Sequence, residues 1–222
     1  MTNFFDTPIL ITGIPRSGTS LIAGSIALCG AWKGSTAGST LDNPKGFFEH
    51  SVLRDVVERT LFNKLGWDPV KKLPPVNYVV NSSNLKNIIW RILKDDGYKN
   101  NKPWLYKSPK ASLIWRFYNE AFPKAKWVIV RRNEKNIINS LIRAKSVNFH
   151  STDPVFWKSF LEKYNLRIEK LKKTISNYKE IHSLEVINKD YSNFIKIIDW
   201  LGLTFEKEKI EKFVLKPYFQ IN

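Results

Sequence analysis

Residues 8–30 read PILITGIPRSGTSLIAGSIALCG. The apolar run 8–12 has the length and composition of a buried strand, and 18–29 has those of a helix packed on it. Between them lies a loop with glycines at 13 and 18. A strand, a glycine-containing loop and a helix N-terminus make a cradle for an anion. Gly18 permits close backbone approach, and the first-turn N–H groups point outward at a ligand. Pro15, Arg16 and Ser17 shape the loop, and Thr19 and Ser20 add hydroxyl donors. Nucleotide hydrolases place a lysine just before the final Ser/Thr of such a loop. Here Thr19 stands in that position, and Arg16 precedes it by three residues.

A second constellation is WVIVRRNEKNIINS, residues 127–140. Phosphate-loop hydrolases commonly end this strand in an aspartate that helps hold Mg²⁺. Arg131 and Arg132 stand here instead, so direct binding of a further phosphate is expected in place of a metal. Ser140 lies eight residues beyond Arg132, close enough to share its anion if a helix starts beside the arginine. YKSP, 106–109, puts Lys107 at the carboxyl end of a short strand, where open α/β sheets bind ligands. NPKGFFEH, 43–50, brings Glu49 and His50 to a turn before a helix, where an acidic residue is also favourable for purely structural reasons.

Four apolar runs read as strands, at 8–12, 104–106, 126–130 and 184–188. Helical patterns cover 18–29, 49–65, 84–95, a segment opening at Ser108-Pro109, 134–145, 154–178 and two pieces of 191–213 broken at Gly202. The alternation predicts an α/β fold of phosphate-loop type in three layers, a central parallel sheet flanked by helices, in one domain over 1–222. The stripe Trp157, Phe160, Leu161, Tyr164, Ile168, Leu171, Ile175 and Tyr178 fits packing on the parent domain or a coiled-coil dimer, and the first is expected. Loops 33–46, 67–83 and 143–155 are expected to rim the site.

Together GIPRSGTS, RNEKNIINS, YKSPK and NPKGFFE resemble the motifs of the sulfotransferase family. They are similar to its Arg-containing 5′-phosphosulfate loop, its R-x7-S spacing, its lysine segment and the NPKGYFE of bacterial members. DWLGLTF, 199–205, is similar to the stretch after the family's last strand. The resemblance implies 3′-phosphoadenosine 5′-phosphosulfate (PAPS) as donor and PAP as product. It implies that loop amides with Thr19 and Ser20 hold the 5′-phosphate, and that Arg132 and Ser140 hold the 3′-phosphate. Arg16 and Lys107 would stabilise charge on the bridging and sulfuryl oxygens. Glu49 matches a catalytic glutamate and is the first choice for the base, with His50 and Asp42 behind it. Ser108 replaces the family's aspartate after the lysine, and Asn133-Glu134 replaces Asn-Pro. The stretch after 213 is expected to lack the segment that closes over the cofactor in longer members.

The chain has 222 residues, 36 Lys and Arg against 20 Asp and Glu, and a net charge of +16. Such a balance favours anionic partners, including an acidic acceptor. The rivals are a phosphate-loop kinase or NTPase, which lacks its lysine and aspartate here, and a basic nucleic-acid-binding module, for which no motif is visible. One cysteine, Cys29, and histidines at 50, 150 and 182 show no metal-ligand spacing. The N-terminus has no basic region before its apolar run, so a soluble, cytoplasmic protein without a membrane segment is expected.

Overall fold

A computed structural model of the protein describes residues 3–39, 46–78 and 81–214. Asp42 and the Asn43-Pro44-Lys45 part of the fourth motif lie outside them. The strands are β1 (Ile9–Gly13), β2 (Leu105–Lys107), β3 (Lys126–Arg131) and β4 (Tyr178–His182), in the order β2-β1-β3-β4 and all parallel. The helices are α1 (Thr19–Leu28), α2 (Ser51–Leu53), α3 (Thr60–Lys64), α4 (Leu85–Asp95), α5 (Trp115–Ala121), α6 (Glu134–Arg143), α7 (Pro154–Thr174), α8 (Ser183–Ile187), α9 (Ser192–Leu201) and α10 (Lys207–Val214). A π-helical segment, Arg54–Arg59, joins α2 to α3.

β1 sits inside the sheet and is buried along its whole length. Successive side chains on a strand point to opposite faces, so both faces of β1 and β3 must be apolar. Leu10, Trp127 and Ile129 enter one core, with α4, α5, α6 and α7. Ile9, Ile11, Val128 and Val130 enter the other, with α1, α8, α9 and α10. The result is the expected three-layer α/β architecture. Ile11 pairs with Lys107, Gly13 with Val130 and Arg131 with His182, so all the strands end at one edge. The functional loops leave from that edge.

α7 buries Trp157, Phe160, Leu161, Tyr164, Ile168 and Leu171 against its own domain. Full burial of such side chains stabilises by roughly 1.5–3 kcal/mol each, which explains the length of the stripe without a second chain. The helix stops at Thr174, and Tyr178 already belongs to β4.

The expected strand at 184–188 is corrected. Residues 183–187 are α8, and the fourth strand runs over Tyr178–His182, before them. β4 is an edge strand whose Lys179 is exposed and whose Glu180 pairs with Arg131 and Lys172, and such charges hide the apolar signal. The run LEVI is helical because His182 caps it. Its side chain accepts from a backbone N–H of the first turn, and Glu185 bonds back to the His182 N–H. Among the described residues no helix is long and apolar enough to cross a membrane.

Candidate functional site

The loop after β1 holds its form through side chains that arrive from far along the chain. Arg16 is a non-glycine residue with φ of 71°, a conformation that costs on the order of 1–3 kcal/mol. Two contacts from the β3–α6 region hold it there. Arg132 Nη1 donates to the Arg16 carbonyl at 3.1 Å, and Arg16 Nε donates to Ser140 Oγ at 2.9 Å. Gly18 has φ of 95°, and a Cβ there would lie 2.6 Å from Ser183 Cβ. Glycine is therefore required both by the turn and by the closeness of α8. α1 starts at Thr19, so its first amides face outward with no intrahelical partner.

Arg132 and Ser140 line one cavity, and each contacts Arg16. Asn133 caps α6 through its side chain, the helix begins at Glu134, and Ser140 lies nearly two turns in. Arg132 Nε is buried without a hydrogen-bond partner. Burial, with the neighbouring Arg16 and Arg143 cations, lowers the Arg132 pKa from its ordinary value. Cations this close to one another favour an anion at this end of the cavity. The sequence pair Arg131-Arg132 is split by strand alternation. Arg131 turns away and bonds Glu169, Glu180 and Asn165, so only Arg132 stands where a metal-binding carboxylate was considered.

At the end of β2, Lys107 Nζ lies 2.8 Å from Glu49 Oε1, with the two side chains 2% and 13% exposed. Burial pulls the Lys107 ammonium pKa down, and Glu49 opposes that shift. Behind this pair, Glu58 is wholly buried. Ser108 Oγ and Tyr118 Oη donate to its two carboxyl oxygens at 2.9 and 3.2 Å. Burial pushes the Glu58 carboxyl up towards its neutral form, against the pull of Lys110. The carboxylate missing at position 108 thus has a neighbour from the π-helical segment.

His50 does not join the site. Its ring is 1% exposed, its Nδ1 accepts from the Leu53 N–H, and its Nε2 lies 3.2 Å from Asp96 Oδ2. Burial lowers the His50 pKa, opposed by Asp96.

One cavity of about 850 Å³ gathers most of the residues expected from the sequence. Pro15, Arg16, Gly18, Thr19, Ser20, Glu49, Lys107, Arg132 and Ser140 line it. Ser17 is buried beneath the loop and faces a separate cavity of about 180 Å³. Of the expected rims, residues 69, 70, 143, 144, 146 and 147 line the large cavity, and among the described residues 33–39 do not. Sequence reasoning missed Arg54, Arg59, Lys110 and Arg143, which also line it. Arg143 was legible, one turn beyond Ser140. Arg54 and Arg59 were not, because a five-residue spacing falls on one face only where the helix is π.

The architecture matches solved structures at low sequence identity. The sulfotransferase domain of the Synechococcus PCC 7002 olefin synthase aligns with a TM-score of 0.59 at 17% identity, over 96% of this chain and 78% of that one. The fold is that of a sulfotransferase. The sulfotransferase domain of the curacin biosynthetic pathway aligns at 0.57 and 16% identity, over 96% and 78%. A sulfotransferase from Mycobacterium avium aligns at 0.57 and 13%, over 93% and 66%. No protein-family model matches the chain, and no curated protein matches it. In this sulfotransferase fold the loop after β1, the end of β2 and the β3–α6 junction all open on the same cavity.

Proposed function

We propose that this chain is a sulfotransferase that takes PAPS as donor and passes its sulfuryl group to a hydroxyl or amine of an acceptor. The observation that carries the reading is the single cavity in which the loop, the Lys107–Glu49 pair and the Arg132–Ser140 pair meet. The residues fit the donor: a loop turned by Gly18 onto the first amides of α1, and a buried Arg132 guanidinium nitrogen without a partner on a side chain that lines the cavity with Ser140. When bound, PAPS would supply the activated sulfuryl group, with its 5′-phosphate as leaving group.

The amides at the start of α1, with Thr19 and Ser20, hold the 5′-phosphate. Arg132 and Ser140 hold the 3′-phosphate, and this separates the donor from ATP. Glu49 takes the acceptor proton, since a hydroxyl is a poor nucleophile until its proton leaves. Lys107 has three N–H donors. One goes to Glu49, and the others can meet charge that builds on the bridging oxygen. Arg16 does the same from the loop side. The reading needs no metal, because arginine rather than a carboxylate ends β3 at the cavity.

The test is calorimetric titration with PAP, 5′-AMP and ATP, each with and without Mg²⁺. PAP should bind about 10–100-fold more tightly than 5′-AMP, the range of a hydrogen bond to a charged group. Arg132→Ala should remove most of that difference. Equal affinities for PAP and 5′-AMP, or a Mg²⁺-dependent preference for ATP, would overturn the reading.

A further inference from the structure

The cavity has a second wall that the donor reading leaves unused. Trp157, Phe160 and Tyr164 of α7 line it, with Pro69 and Val70. Tyr164 Oη donates to the Pro69 carbonyl at 3.0 Å, which ties that loop to the helix. α7 also packs on the 3₁₀ turn Pro109–Ser112, two residues after Lys107. α7 packs as well on α6, which carries Ser140, so the apolar wall adjoins both the turn that follows Lys107 and the α6 side of the cavity. A volume of about 850 Å³ lies near the top of the roughly 300–1,000 Å³ usual for one small-molecule site. It leaves room for a second, mainly apolar molecule.

This wall carries its own positive charge. Arg54, Arg59 and Lys110 line the cavity from the π-helical segment and the turn after β2. The two arginines share one carboxylate, Asp55, at 2.9 and 3.3 Å, so the three remain net positive. Glu58 is the other acid of that segment. It is wholly buried and does not line the cavity, and even counted as a full charge with Asp55 it leaves the three cations in excess. Among the cavity-lining residues the acidic side chain is Glu49, already paired with Lys107.

We infer that the acceptor is a small anionic amphiphile, with an apolar body against α7 and an anionic group, separate from the reacting hydroxyl, held by Lys110 and Arg59. The inference rests on the sulfuryl-transfer reading above. An uncharged apolar alcohol would leave the cations unused, and a small polar acid would leave the aromatic wall wet. The Lys107–Glu49 pair lines the same cavity, so a hydroxyl on such an acceptor can reach it.

The test uses octanoate, 1-octanol and butyrate as probes, titrated calorimetrically into the PAP-loaded protein. Octanoate should bind at least tenfold more tightly than either of the others, since it alone offers both the chain and the charge. Lys110→Gln combined with Arg59→Gln should reduce the octanoate-over-octanol preference to within about threefold, with the single Lys110→Gln intermediate. PAP titration of the same variants reports on folding. Equal binding of octanol and octanoate, equal binding of butyrate and octanoate, no octanoate binding, or a preference that survives the double substitution each overturns the inference. The ranking is repeated without nucleotide, so a failure of PAP to bind would strike the donor reading while the acceptor ranking stays readable.

Discussion

Glu49 and His50 are neighbours in the chain, yet their side chains find partners in different segments and only Glu49 lines the cavity. Glu49 meets Lys107 in the cavity, while His50 meets Asp96 in the packed region behind it. The backbone there is extended, and His50 makes an isolated bridge with Thr36. Adjacent side chains on extended backbone point to opposite sides. A motif that contains two candidate bases therefore delivers one of them to the cavity and uses the other to cap a helix. Both are buried acid–base pairs, and burial alone would not tell them apart. The difference lies in what each pair faces.

The largest expected effect separates the two directly. Under the proposed reading Glu49→Gln should lower turnover by roughly 10²–10⁴ while PAP still binds. His50→Ala should leave turnover within a few-fold and cost about 1 kcal/mol through the lost cap. Single-turnover assays with labelled PAPS and urea denaturation measure the two quantities. Losses of turnover that match for the two variants would break the comparison.

Their partners should divide in the same way, with a smaller effect. Lys107→Ala should reduce turnover by about 10²–10³, as for one lost preformed donor. Asp96→Ala should leave turnover nearly intact. It frees the Ser35 N–H and hydroxyl along with His50, and at 22% exposure the cost should be about 1–2 kcal/mol of stability. A large turnover loss in Asp96→Ala would place the His50 pair in the chemistry.

The smallest expected effect is a pH dependence. Burial depresses the folded-state pKa of His50 below its ordinary 6.5. The unfolded chain then takes up a proton near pH 6.5 that the folded state refuses. Stability should be fully present above that pH and fall as pH drops through and below it. The Asp96 carboxyl, also held low, opposes this shift and would add its own loss at more acid pH. His50→Asn keeps a capping side chain and should flatten the slope between pH 7 and 5 in urea melts. An unchanged slope would mean that another group titrates there.

Much of the loop side of the cavity was legible because its signals are local. GIPRSGTS carries its loop within eight residues, and Arg132 and Ser140 flank a helix start whose pitch is known in advance. A second set of cavity residues was not legible. Arg54 and Arg59 share the cavity only because their helix is π, and Pro69 and Val70 meet Tyr164 from 95 residues away. The fourth strand was misplaced because YKEIH lies on an edge, where one face can be charged, while the more apolar LEVI was held as a helix by its cap.

The sequence by itself determined the layer architecture and the strand, glycine loop and helix that open it. Periodicity and glycine placement report each residue's own burial and backbone needs. Only the tertiary structure decided which of those residues meet. Arg16 reaches Ser140 across 124 positions, and Lys107 reaches Glu49 across 58. Strand register brings these ends to one edge, and strand alternation turns Arg132 towards the cavity and Arg131 away from it. Such pairings depend on how separate segments pack, which no local pattern encodes.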